Sequence, residues 1–259
     1  MEPSISPLLF AVLLFSGMLA LQEIGRCVGI RRRPKEAEGE RGGLGIIEGA
    51  IFALFGLVVA FTFSGATTRF NEKRILIAEE ANAIETAYLR LHLLSSKAQP
   101  ELQELFRQYV DSRLETYYKL PNLEAAAVEM ASSKKIQEEI WTKSVVATAL
   151  PDSHPDSGKL LLPALNNMID ITTIRTMALQ THPPSIIYAL LFSLGLICSL
   201  LAGYRMSTGQ HRSWLHILSF AVITVIIAFV IIDVEYPRAG LIRLQAFDQV
   251  LINVRESMK

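Results

Sequence analysis

The sequence predicts an all-α membrane protein: four transmembrane helices arranged as two hairpins, with a central helical extramembrane domain between them. Three observations carry this. Hydrophobic residues make up 51% of the 259 and charged residues only 19%, and mean hydropathy is +0.33, outside the usual range of soluble domains. Four apolar windows approach the roughly 20 residues that a helix needs to cross a bilayer, with almost no charge inside them. The one large polar stretch repeats its apolar residues at helical spacing and never alternates as a half-buried strand would.

The windows lie at about 5–21, 44–63, 186–204 and 214–232. They divide the chain into a first hairpin (1–66), the helical domain (67–183), a second hairpin (184–236) and a C-terminal polar tail (237–259). The leader Met1-Glu2-Pro3-Ser4 carries no positive charge and no small-x-small site follows Leu21, so the first window is expected to be a retained helix rather than a secretion signal. Arg26, Arg31, Arg32, Arg33, Lys35 and Arg41 follow it, and Arg205 and Arg212 fall in the other short loop. The positive-inside tendency would put both loops in the cytoplasm and the central domain outside. Arg69, Lys73, Arg74, Arg175, Arg238 and Arg243 on the opposite side make that bias small.

In the central domain the helical repeat runs through Phe70, Ile77, Ala81, Ile84, Tyr88 and Leu91, then Leu102, Leu105 and Tyr109, then Met130, Ile136 and Ile140. Breaks are expected at Gln99-Pro100, Leu120-Pro121 and the Pro-, Asp- and Ser-rich 151–158, giving about four helices. No breaker stands between Ala66 and Ser95, so the second span is expected to continue into this domain as one rod of about 50 residues. Gly65 is its one interior weak point, worth about 1 kcal/mol relative to alanine.

Lysine plus arginine equals aspartate plus glutamate at 25 each, which leaves no net field to attract nucleic acid. The lipid bilayer is the partner the composition requires. Cys27 and Cys198 have no nearby cysteine or histidine of metal-site spacing and are expected to be small buried apolar residues. His211 and His216, five apart, are poorly spaced for two ligands on one helix face. With no Gly-x-Ser-x-Gly, phosphate loop, His-Glu-x-x-His or Cys-x-x-Cys, neither catalysis, a metal nor a cofactor is expected.

Candidate functional residues concentrate in the second span, where a four-residue row reads Gly45, Gly49, Ala53, Leu57, Phe61, Gly65. Gly45-x-x-x-Gly49 suits close helix packing, and Leu57 and Phe61 would face either a neighbouring helix or an axis shared by several copies, where an apolar ring gates by dewetting. Each four-residue step drifts by about 40°, so only neighbouring members share a face. Glu48, ionisable near the start of the span, is expected to reach the interface or pair with Arg41 or Arg26. After the fourth span, Asp233, Glu235 and Arg238 are expected at the membrane edge beside Tyr236, as a local ion pair or, in an oligomer, a ring of carboxylates.

The run Leu54-Phe55-Gly56-Leu57-Val58-Val59-Ala60-Phe61, followed by Arg69-Phe70-Asn71-Glu72-Lys73-Arg74, resembles the second helix of bestrophin channels. Phe63-Ser64-Gly65-Ala66, the stretch from Glu80 to Arg90, and Pro237-Arg238-Ala239-Gly240 are similar to a bacterial domain-of-unknown-function family described as bestrophin-like. The resemblance implies a homopentamer in the cell (inner) membrane, its second helices lining a pathway for chloride or another small anion. Leu57 and Phe61 would be neck residues, with Ala53 or Gly65 as the third position. It also implies a cytosolic central domain, opposite to the reading from Arg31–Arg33. Asp233 and Glu235 are too few for the acidic calcium clasp of the animal channels. The alternative is a non-conducting scaffold or sensor whose helical domain binds a partner; a solute carrier ranks last, because no internal repeat is visible.

Overall fold

The computed structural model describes residues 7–32, 38–120, 122–208, 213–237, 241–242 and 245–258. Among them the chain forms α1 (Pro7–Arg32), α2 (Glu38–Leu89), α3 (Gln99–Tyr118), α4 (Leu123–Thr148), α5 (Ser157–Gln180), α6 (Ser185–Arg205), α7 (Trp214–Glu235) and α8 (Gln249–Ser257), and no strand. Four of these helices are long and apolar enough to cross a membrane. Two compact units result, Met1–Thr68 with His182–Tyr236, and Arg69–Thr181 with Pro237–Lys259.

In the first unit α1 packs along α6 and against α7. The crossing is close because glycines remove the side chains that would hold the backbones apart. A Cβ on Gly203 would lie 1.9 Å from the Gln22 carbonyl oxygen, and one on Gly25 would lie 2.0 Å from that of Leu200. Gly29 fits against Tyr204 and Ser207 in the same way. In hydrocarbon, where apolar surfaces gain nothing by leaving lipid for each other, such contact is what holds helices together. Leu14, Met18, Ala221 and Ala228 form a small core beside it.

Two expectations change here. The first helix does not stop near Leu21. It runs eleven residues further, to Arg32, because nothing between Gln22 and Arg32 breaks a helix except glycines that the crossing uses. Cys27 is exposed rather than buried, while Cys198 is buried as expected.

The second unit is built on the continuation of α2. That helix is 52 residues long and runs through Gly65 without interruption, the rod that the absence of breakers predicted. Ile77, Ala81, Ile84 and Ala87 bury along it at spacings of four, three and three. Pro100 stands in the first turn of α3, where a missing N–H costs nothing. The Asn122 side chain caps α4 by accepting from the Ala125 N–H at 3.1 Å. Pro183 and Pro184 prevent α5 and α6 from fusing. The 151–158 segment is pinned to the end of the rod: Ser153 accepts from the Ser95 N–H at 2.9 Å, and the His154 N–H donates to the Leu93 carbonyl at 2.8 Å.

The expected polar tail is a docked helix. Leu251, Val254 and Met258 are buried in the second unit's core, Arg255 grips Asp111 with two nitrogens at 2.7 and 3.0 Å, and Arg107 donates to the Met258 carbonyl at 3.0 Å. The i, i+3, i+7 spacing of those apolar residues gives so short a segment its buried face.

Candidate functional site

In the membrane-spanning part of α2, one face carries Glu48, Phe52, Phe55, Val59, Thr62 and Ala66, all buried or half-buried. The Phe52 ring meets Phe220 edge-on at 5.9 Å, and Phe55 lies beside Gly195 of α6. The opposite face is uncovered within the chain. Ala53 is exposed, as are Leu57 at 51% and Phe61 at 69%, and a Cβ added to Gly49 or Gly56 would meet nothing within 4 Å. Ala53, Leu57 and Phe61 spread over about 80° of the helix, so they share that face. Gly65 is half-buried and turned away from it.

The extent of the uncovered face separates α2 from its neighbours. Only 11% of its apolar window is buried, against 22%, 33% and 28% for the other spans. The faces that α1 and α7 leave open carry large aliphatic side chains, among them Leu8, Val12, Leu215 and Ile223, as suits contact with lipid. The open face of α2 carries Ile46, Leu54, Leu57 and Phe61 with Gly49, Ala53, Gly56, Ala60 and Ser64 between them. Small residues on an open membrane face suit the approach of another helix.

Glu48 is buried and accepts from Arg205 Nη1, of the arginine closing α6, at 3.1 Å; the Arg41 side chain lies outside the described ones. Gly45 lies against Arg205, whose Nη1 would be 2.8 Å from a Cβ there. Close backbone packing within the chain thus belongs to Gly25, Gly29 and Gly203, while a Cβ on Gly49 would touch nothing inside it. Gly25-x-x-x-Gly29 carries the same sequence signal as Gly45-x-x-x-Gly49, but its polar flank, Gln22 to Arg26, disguises it as loop.

Asp233 and Glu235 stand at the end of α7, where both are buried. Glu235 faces His182 Nδ1 at 3.1 Å, and the His182 ring stacks on Tyr236 with centroids 4.5 Å apart. Arg238 lies outside the described residues, as does His211. His216 is within 2.5 Å of the Ser213 hydroxyl. No group of three or more metal-ligating side chains occurs among the described residues.

Sequence reasoning missed the densest polar feature, at the centre of the second unit. Glu80 lies 17 residues beyond Phe63 on α2, about 25 Å along the axis and clear of the span. It accepts from Arg113 Nε at 2.6 Å, from the Tyr117 hydroxyl at 3.0 Å and from Arg175 Nη1. Arg175 also reaches Asp248 at 3.2 Å and stacks 3.6 Å above the Tyr117 ring. All five residues are buried. Burial alone would raise the Glu80 carboxyl, but the attraction of Arg113 and Arg175 outweighs it and holds the group below the usual carboxylate range. Burial, helped by Glu80, pushes the Tyr117 hydroxyl up. The cluster ties α2, α3, α5 and the segment before α8 together with balanced charge.

The family of bestrophin-like domains matches residues 30–246, most of the chain. The chain belongs to the bestrophin-like family. Solved structures agree in fold. A point mutant of a bacterial bestrophin homologue from Klebsiella pneumoniae superposes with a TM-score of 0.65 at 14% identity, covering 93% of this chain and 97% of that one. A second structure, described as a mutant membrane protein, gives 0.59 at 14% identity, over 94% and 98% of the two chains. No curated protein sequence matches. This bestrophin-like chain is therefore a multi-pass membrane protein of channel-like architecture, as the resemblance read in α2 implied.

Proposed function

We propose that the protein is a homo-oligomeric anion channel, a pentamer in the cell membrane with α2 of each copy at the shared axis. The open, small-residue face of α2 is the observation that carries this reading, and membership of the bestrophin-like family supports it. Leu57 and Phe61 form the apolar neck, Ala53 the wider ring beside it, and Gly49 the point where a neighbouring copy approaches. Gly65, off this face, does not serve as a third neck residue. Chloride or another small anion is the conducted species, and a ring of phenylalanines of this size limits its flow by dewetting.

Flux from anion-loaded liposomes tests it. Leu57→Ala with Phe61→Ala is expected to raise chloride flux over the wild type, since both residues are exposed within the chain and their truncation removes no intrachain core. A folded double mutant with unchanged flux overturns the pore assignment and favours a non-conducting scaffold.

A further inference from the structure

In the second unit α5 runs back along α4: Gly158 faces Thr148, and Thr172 meets Gln137 at 3.2 Å. Between those two contacts a cleft of about 360 Å³ opens to the surface, its walls formed by Lys134, Gln137, Glu138 and Trp141 of α4 with Asn166 and Ile169 of α5. The α4 members recur at i, i+3, i+4 and i+7, one face of the helix. Trp141 and Ile169 are half-buried, while Lys134, Glu138 and Asn166 are exposed.

Gln137 is 7% exposed, and the hydrogen bonds behind it fix which way its amide points. Thr172 gives its hydroxyl proton to the Met168 carbonyl at 2.9 Å. The Tyr109 hydroxyl, 3.0 Å from Thr172 Oγ1, must therefore donate to it. Both oxygens then have only lone pairs left, and they lie 2.9 and 3.2 Å from Gln137 Nε2, which meets them with its two protons. The amide oxygen Oε1 is left toward the cleft, and among the described residues nothing donates to it. A largely buried carbonyl in that state favours a ligand that brings an N–H. Beside it, Glu138 enters no ion pair among the described residues, and neither does Lys134, one turn earlier. The cleft thus presents, in order along α4, a cation, a carboxylate with an open acceptor, and an indole with Ile169 across from it.

We propose that this cleft binds a free α-amino acid with a large apolar side chain. Lys134 takes the carboxylate, Glu138 and Gln137 Oε1 take the ammonium, and the side chain lies between Trp141 and Ile169, with Asn166 at the rim. The choice follows from the order of the groups. Lys134 and Glu138 stand about 6 Å apart along the axis, close enough for their flexible side chains to converge on two charges carried by one carbon. A primary ammonium has three N–H donors, enough for both the carboxylate and the open amide oxygen. An acid without the ammonium leaves Glu138 and Oε1 without a donor, and an amine without the carboxylate leaves Lys134 unmatched. The site does not depend on the pore reading, because none of its residues belongs to α2.

The test is isothermal titration calorimetry of the full-length protein in detergent with L-phenylalanine. Saturable binding is expected. 3-Phenylpropionate, which lacks the ammonium, phenethylamine, which lacks the carboxylate, and glycine, which lacks the side chain, are each expected to bind about tenfold more weakly. Lys134 and Glu138 are exposed, so their glutamine variants keep the fold. Glu138→Gln is expected to weaken L-phenylalanine about fivefold and leave 3-phenylpropionate unchanged, while Lys134→Gln weakens L-phenylalanine by a similar factor and leaves phenethylamine unchanged. No saturable heat from L-phenylalanine up to about 10 mM, equal affinity for 3-phenylpropionate, or an affinity that both variants leave unchanged overturns the proposal.

Discussion

Replacing Glu80 by alanine removes the carboxylate that Arg113 and Arg175 share and leaves two guanidinium groups in a core where, among the described residues, Asp248 opposes Arg175. The geometry sets the size of the effect. The substitution abolishes the 2.6 Å bond from Arg113, the 3.0 Å bond from Tyr117 and the ion pair with Arg175, all in a region closed to water. Arg113 Nη1 already lacks a partner, so that side chain has little reserve. Breaking a buried ion pair from one side costs about 3–5 kcal/mol. At roughly 2–4 °C per kcal/mol for a chain of this size, the apparent melting temperature in detergent falls by about 6–20 °C. Exchanging the whole set for uncharged residues of similar volume (Glu80→Leu, Arg113→Met, Arg175→Met, Asp248→Asn) is expected to recover most of that loss, because the charges of the cluster leave together. The dependence on pH has a definite sign. The folded Glu80 carboxyl ionises below its unfolded value of about 4.3, so its contribution is complete above that pH and is lost as pH falls through the folded value. The Glu80→Gln protein lacks this acid-side component. A fall of less than about 3 °C in Glu80→Ala, or a fourfold variant less stable than the single one, refutes the reasoning.

Three further outcomes follow from the packing. Gly203→Ala drives a Cβ into the Gln22 main chain and is expected to cost more than the roughly 1–3 kcal/mol of ordinary overpacking, seen as loss of monodisperse protein; Gly49→Ala, with nothing within 4 Å in the chain, leaves the protomer unaffected. Leu251→Ala is expected to lower stability by about 2–5 kcal/mol, whereas Arg255→Ala costs under about 1 kcal/mol because its pair with Asp111 is largely exposed; thermal melts of the two separate a docked α8 from a loose tail. An excess of maleimide reagent in detergent modifies one cysteine per folded chain, Cys27, and two after denaturation; two before denaturation would contradict the burial of Cys198.

The membrane layout was legible because long uncharged windows and missing breakers leave the backbone few alternatives. Lipid demands a helix at those lengths, and nothing between Ala66 and Leu89 stops the rod. What stayed hidden depended on partners far apart in sequence. Glu80, Arg113, Arg175 and Asp248 are far apart in the chain, yet Arg113 and Glu80 sit in register with buried neighbours, Tyr109, Val110 and Tyr117 for one and Ile77, Ala81 and Ile84 for the other. A charge at a core position of an amphipathic helix was the available signal. Glu48 was recognised as a paired group, but which arginine it met depended on where α6 ends. The small residues of α2 were also visible, and only the fold showed that Gly49 and Ala53 lie on the face its own chain leaves open.

The mass of the detergent-solubilised particle tests the shared-axis assignment most directly. Five copies of the 28.8 kDa chain, about 144 kDa of protein, are expected, with Gly49→Leu shifting the population toward smaller species. A monomer or dimer at concentrations where the protein is folded would contradict a pore built from α2, and would leave Leu57 and Phe61 facing lipid or a partner protein.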